Sequence, residues 1–210
     1  MTPAGWPDER ARVTRLLLWR HGQTEWNADG RVQGQFDVEL SAAGVAQAGA
    51  MAVRLAEERL DLIVSSDLRR AADTAAALAA ITGLDVGHDQ RLRERHFGPW
   101  QGMLNSEIAE RWPDEYALWK AGEPVPGLDI ESAEDVAKRV SVALQDVADR
   151  VPGGTAVVAT HGAAARHGCG ALLGWPRAVL RTFAVLANCH WTELRYDAVR
   201  GWQLWAHNAR

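Results

Sequence analysis

Two apolar runs in this chain end in the same way. Leu16 to Trp19 runs straight into Arg20, His21 and Gly22, and Thr155 to Thr160 runs into His161 and Gly162. Short, nearly unbroken apolar runs read as strands buried on both faces, the usual setting of a parallel sheet. In an open α/β sheet, ligands bind at the carboxyl ends of the strands, so both histidines are aimed at a cleft. Gly22 lets the backbone come close to whatever His21 touches.

The segments between these strands alternate in type. Ser41 caps a predicted helix running to about Glu58, with Val45, Ala48, Ala52 and Leu55 on its inner face. Leu62 to Val64 form a further strand, and Ser65, Ser66 and Asp67 offer N-cap side chains to a helix that buries Leu68, Ala71, Ala72, Ala75, Leu78 and Ala79. Arg70 falls in its first turn, on the other face. Leu84 to Val86 is expected as a short edge strand, whereas Asn27 to Leu40 and Arg91 to Gly102 read as loops. Short helical patterns broken at Pro113, and a Pro- and Gly-rich run after them, mark a lid or insertion at about 103–131. Ser132 then caps a helix with Val136, Val140, Ala143, Leu144 and Val147 on one face, and Ala163 to Leu173 forms another. Trp191 to Arg195 and Trp202 to Trp205 alternate as the arms of a hairpin. Strands interleaved with amphipathic helices predict one three-layer α/β/α sandwich over 14–210, after a disordered leader at 1–13.

Composition narrows the partner. A net charge of -4 lacks the basic footprint of a nucleic-acid binder, and no stretch is apolar enough for a membrane span. Cys169 and Cys189 are the only cysteines and match no metal-ligand spacing, which favours a reduced, cytoplasmic setting. The expected partner is a small molecule.

The strand ends and one loop present Arg20, His21, Arg70, His161 and Glu94. Guanidinium forks match phosphate oxygens, and the chain has no Gly-rich nucleotide loop, so the expected ligand is a phosphate ester held by side chains. His21 is the natural nucleophile, kept neutral by its cationic neighbours. Arg20, Arg70 and a protonated His161 would stabilise the transferring phosphoryl group, and Glu94 would protonate the leaving alkoxide. Competing readings are a surface carboxylate for Glu94, among Arg91, Arg93 and Arg95, and a structural histidine for His161. A metal site is the rival use of the histidines, but no His-Glu-x-x-His or Cys-x-x-Cys spacing is present; no metal and no cofactor is expected.

These residues sit in longer stretches: Arg20-His21-Gly22-Gln23-Thr24-Glu25-Trp26-Asn27, Ser65-Ser66-Asp67-Leu68-Arg69-Arg70-Ala71, Leu92-Arg93-Glu94-Arg95-His96-Phe97-Gly98 and Thr160-His161-Gly162. Together they resemble the histidine phosphatase superfamily, the branch that includes phosphoglycerate mutases, from Leu16 to about Asn208. The resemblance implies a mostly parallel mixed sheet between helical layers. It implies His21 as the phosphorylated nucleophile, Arg20, Arg70 and His161 as phosphate ligands, and Glu94 as proton donor. It also places Asn27, Gln33, Gly34 and Gly162 in the phosphate and substrate rim. Trp100-Gln101-Gly102 and the late Asn188 with Trp191-Thr192 look most like the group acting on glucosyl-3-phosphoglycerate. Gly127-Leu128-Asp129-Ile130-Glu131-Ser132 departs from the more compact Gly-Gly-Glu-Ser of that group. Resembling mutases carry an arginine pair soon after the insertion tryptophan, whereas Trp119 is followed by Lys120, Ala121 and Gly122. A phosphatase is therefore expected, with mutase-type transfer or broad specificity as alternatives, and a homodimer is left open.

Overall fold

In the computed structural model, residues 13–210 are described. Apart from Val13, the expected leader lies outside them. Six strands form one sheet: β1 (Thr14–Arg20), β2 (Leu62–Ser65), β3 (Val86–His88), β4 (Thr155–Thr160), β5 (Trp191–Asp197) and β6 (Gly201–Ala209), in the order β3-β2-β4-β1-β5-β6. The first four are parallel, and β5 and β6 run antiparallel as the predicted hairpin. The sheet is therefore mixed and mostly parallel. The edge strand β3 begins two residues later than its apolar pattern suggested.

Eight helices complete the described fold: α1 (Glu25–Asp29), α2 (Ala42–Leu55), α3 (Arg69–Thr82), α4 (Asn105–Arg111), α5 (Pro113–Ala121), α6 (Ala133–Arg150), α7 (Gly162–Leu172) and α8 (Arg177–Thr182). Alternate residues of β1 feed two cores. Leu16 and Leu18 pack with Val136, Val140 and Leu144 of α6, while Leu17 and Trp19 pack with Ala48, Leu55 and Leu78 of α2 and α3. This period-2 division of one buried strand makes the three layers.

Three local expectations give way. The stretch Asn27 to Leu40 is not wholly irregular, because Thr24 and Asn27 form a capping box that winds α1. Val45 faces water, being 59% exposed, and the inner face of α2 is completed by Met51 and the small Gly44 instead. At α3 the N-cap is Leu68, with no side-chain cap; Asp67 pairs with Arg93. Neither α1 nor α8 was expected, since both are too short to show an apolar period.

The start of α2 is pressed against the loop leaving β1. A Cβ on Gly22 would lie 2.5 Å from the Gly44 carbonyl oxygen, and one on Gly44 would collide with the Gln23 carbonyl. Ser41 adds two hydrogen bonds to Gln23, from its amide and its hydroxyl. Replacing Gly44 with Ala must push this backbone apart and move Gly22 with it. Overpacking of this kind costs about 1–3 kcal/mol. Thermal unfolding of Gly44→Ala should show that loss together with reduced activity; unchanged stability and activity would show that the contact does not set the loop.

Candidate functional site

Register brings the two histidines together. β1 pairs with β4 so that Arg20 faces Thr160, which makes His21 and His161 the next residues at neighbouring strand ends. Their ring centroids are 5.2 Å apart. β2 lies on the far side of β4, and the turn after it carries Ser66 and the first turn of α3 with Arg70 to the same end of the sheet.

His21 is fixed at its backbone and at one ring nitrogen. Its amide donates to the Thr160 carbonyl, and its own carbonyl accepts from Asn188 Nδ2. Nδ1 lies 2.7 Å from the Gly22 carbonyl, an acceptor only, so Nδ1 carries the proton and Nε2 keeps a lone pair. Among the described residues, Nε2 has no hydrogen-bond partner. The Gly22 amide in turn donates to Thr74 Oγ1, and Thr74 donates to the Arg70 carbonyl, which joins the β1 loop to α3.

The guanidiniums are held by carbonyls and not by carboxylates. Arg20 Nη1 donates to the Leu186 carbonyl at 2.6 Å, and Arg70 donates to the Gly34 and Phe36 carbonyls at 2.7 and 2.8 Å. Arg70 is 0% exposed. Burial lowers Arg20 and brings Arg70 down to about 10, so both remain cations at neutral pH. Their Nε atoms are buried without an acceptor among the described residues.

His161 is also fully buried. Ser66 Oγ accepts from the Leu68 amide, which leaves its hydroxyl proton for His161 Nε2 at 2.9 Å. The ring proton is then on Nδ1, a third buried donor without a partner. Desolvation first, then Arg70, His21, Arg20 and Arg139, hold His161 well below 6.5. His21 is lowered likewise, by burial, then Arg70 and Arg20. The expected protonated His161 is thus corrected: this imidazole is neutral and offers a dipolar N–H.

Glu94 sits across this cluster, at the N-terminus of α7. Its carboxylate accepts from the amides of Ala163, Ala164 and Arg95 at 2.8–3.1 Å. A Cβ on Gly162 would lie 3.7 Å from Arg20 Nε and 3.8 Å from Glu94 Oε2, so Gly162 keeps the space between them open. Arg20, His21, Arg70 and Glu94 all line one cleft of about 270 Å³. Asn27, Gln33 and Gly34 line it too, with Gln33 Oε1 buried and unpaired. Every residue expected at the site is therefore brought to it.

Other residues at the site were not assigned from sequence. Thr74, Ser66 and Asn188 act through the contacts above, while Trp26, Arg31, Phe97 and Trp119 form the outer wall. Trp119 comes from the 103–131 segment, which packs as a separate cluster with Trp100, Ile108 and Val125. Among the described residues there is no group of three or more His, Cys, Asp or Glu side chains placed to hold a metal, and no helix is long and apolar enough to cross a membrane.

The sequence profile of the histidine phosphatase superfamily, branch 1, matches residues 16–210. The chain belongs to that superfamily. This histidine phosphatase is 40% identical to glucosyl-3-phosphoglycerate phosphatase of Mycolicibacterium vanbaalenii, over 87% of its own length and 84% of that protein's. It is also 40% identical to a metal-independent phosphoserine phosphatase of Arabidopsis thaliana, over 74% and 67% of the two chains. Its fold superimposes on mycobacterial glucosyl-3-phosphoglycerate phosphatase in complex with VO3 at a TM-score of 0.86 and 38% identity, covering 95% and 100% of the chains. The protein is a phosphoric monoester hydrolase.

Neutral buried histidines have a pH signature. Unfolded histidines titrate near 6.5, whereas His21 and His161 do so well below that and His167 at about 4. As pH falls below 6.5 the unfolded chain takes up protons that the folded one refuses, so stability falls in that window. Imidazole NMR at pH 6 should show His21 and His161 neutral, with protons on Nδ1. Imidazolium signals for both would overturn the electrostatic account.

Proposed function

We propose that this histidine phosphatase works through a phosphohistidine at His21 Nε2, with Glu94 as proton donor and acceptor. The observation that carries this reading is the set of buried N–H donors on Arg20, Arg70 and His161, unpaired within the protein and gathered around an unprotonated imidazole nitrogen. Buried donors that lack acceptors cost free energy, and the nonbridging oxygens of a phosphate supply acceptors. In the first step the Nε2 lone pair forms the N–P bond as the P–O ester bond breaks, and the leaving oxygen takes a proton from Glu94. The Nδ1–H···O contact to Gly22 supports the positive charge that grows on the ring. In the second step Glu94 takes a proton from water, the water oxygen bonds to phosphorus, and His21 leaves as a neutral imidazole.

The substrate we propose is a small phosphorylated hydroxy acid or its glycoside, glucosyl-3-phosphoglycerate first among them. Relatives named for phosphoserine and for glucosyl-3-phosphoglycerate share a phosphomonoester beside a carboxylate. Arg31 on the cleft wall is the cation available to that carboxylate, since Arg20 and Arg70 face the phosphate end. Hydrolysis is favoured over mutase transfer by the absence of arginines after Trp119. The setting we propose is the cytoplasm.

An alkoxide leaves only with a proton, and general acid catalysis contributes about 100- to 10,000-fold, whereas nitrophenolate leaves without one. Glu94→Gln should therefore cut the single-turnover burst with 3-phosphoglycerate or glucosyl-3-phosphoglycerate by that order and spare the burst with p-nitrophenyl phosphate. An equal fall for both leaving groups would remove Glu94 from the proton-transfer role.

A further inference from the structure

The strongest feature of the molecule outside the reacting groups is a buried arginine with every donor in use. Arg139, in the middle of α6, donates from Nη1 to the carbonyls of Arg91 and Arg93 at 2.8 and 2.6 Å. Its Nη2 donates to the Glu94 carbonyl at 3.0 Å and to Glu131 Oε2 at 2.8 Å, and its Nε to Glu131 Oε1 at 2.6 Å. These are the five N–H groups a guanidinium possesses. Three of them hold the backbone that carries Glu94, and two form a bidentate pair with one carboxylate.

Glu131 binds the same segment from its other end. Its Oε2 also accepts from the His96 amide, its own amide donates to the His96 carbonyl, and its carbonyl accepts from Arg95 Nε at 2.6 Å. Residues 91–96 therefore lie between an arginine on α6 and a glutamate just before that helix. The segment has no ladder of its own, being a 3-10 turn over Gln90–Leu92 followed by irregular chain. Without Arg139, three carbonyls would lose a donor and Glu131 would lose its cation.

We propose that Arg139 and Glu131 form a clamp that positions Glu94 for proton transfer. The pair sets the backbone of the loop, while the first turn of α7 sets the carboxylate, so the Oε2 edge is fixed from two independent elements. Arg139 is a positioning residue and touches no reacting atom. Its charge also bears on His161, where it adds to the effects that keep that ring neutral. A geometric shift of about 1 Å in a catalytic group can cost about 100-fold in rate, so a clamp of this kind should be visible in kinetics before it is visible in the fold.

The proposal rests on Glu94 being the proton donor, and the test separates the two. Arg139→Lys, Arg139→Gln and Glu131→Gln are compared with Glu94→Gln in single-turnover bursts with 3-phosphoglycerate and p-nitrophenyl phosphate. Inorganic phosphate binding serves as the readout of the Arg20, Arg70 and His161 pocket. The clamp predicts that Arg139→Gln lowers the 3-phosphoglycerate burst at least tenfold, leaves the p-nitrophenyl phosphate burst and the phosphate affinity within about threefold, and adds little further loss to Glu94→Gln in the double variant. Arg139→Lys should recover only part of the loss, because an ammonium has three donors for five acceptors. If Glu94→Gln discriminates between the leaving groups and the clamp variants do not, the clamp is overturned and Glu94 stands. If Glu94→Gln slows both substrates equally, the proton-donor reading itself fails. Should Arg139→Gln not fold, Glu131→Gln decides the matter, since it keeps the shape and all but the charge; an unselective loss there overturns the proposal.

Discussion

Two guanidiniums and two imidazoles are buried side by side at the ends of β1, β4 and α3, with no carboxylate paired to either arginine. Placing like charges together away from water is expensive, and the surrounding structure follows from how that cost is met. Carbonyls of Leu186, Gly34 and Phe36 take one or two N–H groups from each arginine. The loop from Arg31 to Leu40 is long because it must bring two of these carbonyls over Arg70. Both histidines give up their charge, which removes part of the repulsion and leaves a lone pair on His21. The donors that remain unpaired on Arg20, Arg70 and His161 make the pocket complementary to a phosphate before any substrate arrives, the form of preorganisation that contributes most to catalysis.

Chemistry and specificity occupy different elements. The phosphate end is built wholly from strand ends and first helical turns, places where the sheet fixes position to within a hydrogen bond. The outer wall is built from Trp26, Phe97 and Trp119, carried by short helices and loops with their own small aromatic core around Trp100. An insertion with a separate core can change the wall while the charged end stays as it is. This division accounts for one superfamily containing proteins named for phosphoserine and for glucosyl-3-phosphoglycerate.

The strand ends were legible because period and polarity change abruptly there: Leu16 to Trp19 and Thr155 to Thr160 could only be buried strands, and Arg-His-Gly or His-Gly could only follow them at a rim. The capping of α2 and α6 by Ser41 and Ser132 was legible for a similar local reason. Features set by distant partners were not. Val45 has the right spacing for the inner face of α2, but the tight seat of Gly44 on Gln23 rotates the helix so that Val45 faces water. The neutrality of His161 depends on full burial beside Arg70, which no local window shows. Arg139 reads as one more charge on a helix until the loop it holds, some forty-five residues earlier in the chain, is seen packed against it.

The central claim is that His21 Nε2 accepts the phosphoryl group, and it can be read on the protein itself. Labelled p-nitrophenyl phosphate mixed with enzyme, quenched within the burst at alkaline pH and mapped by peptide, should give an acid-labile, base-stable phosphate on His21 that is lost in His21→Ala. Label on any other residue, or a full phosphate-release burst with no label on the protein, would contradict the account.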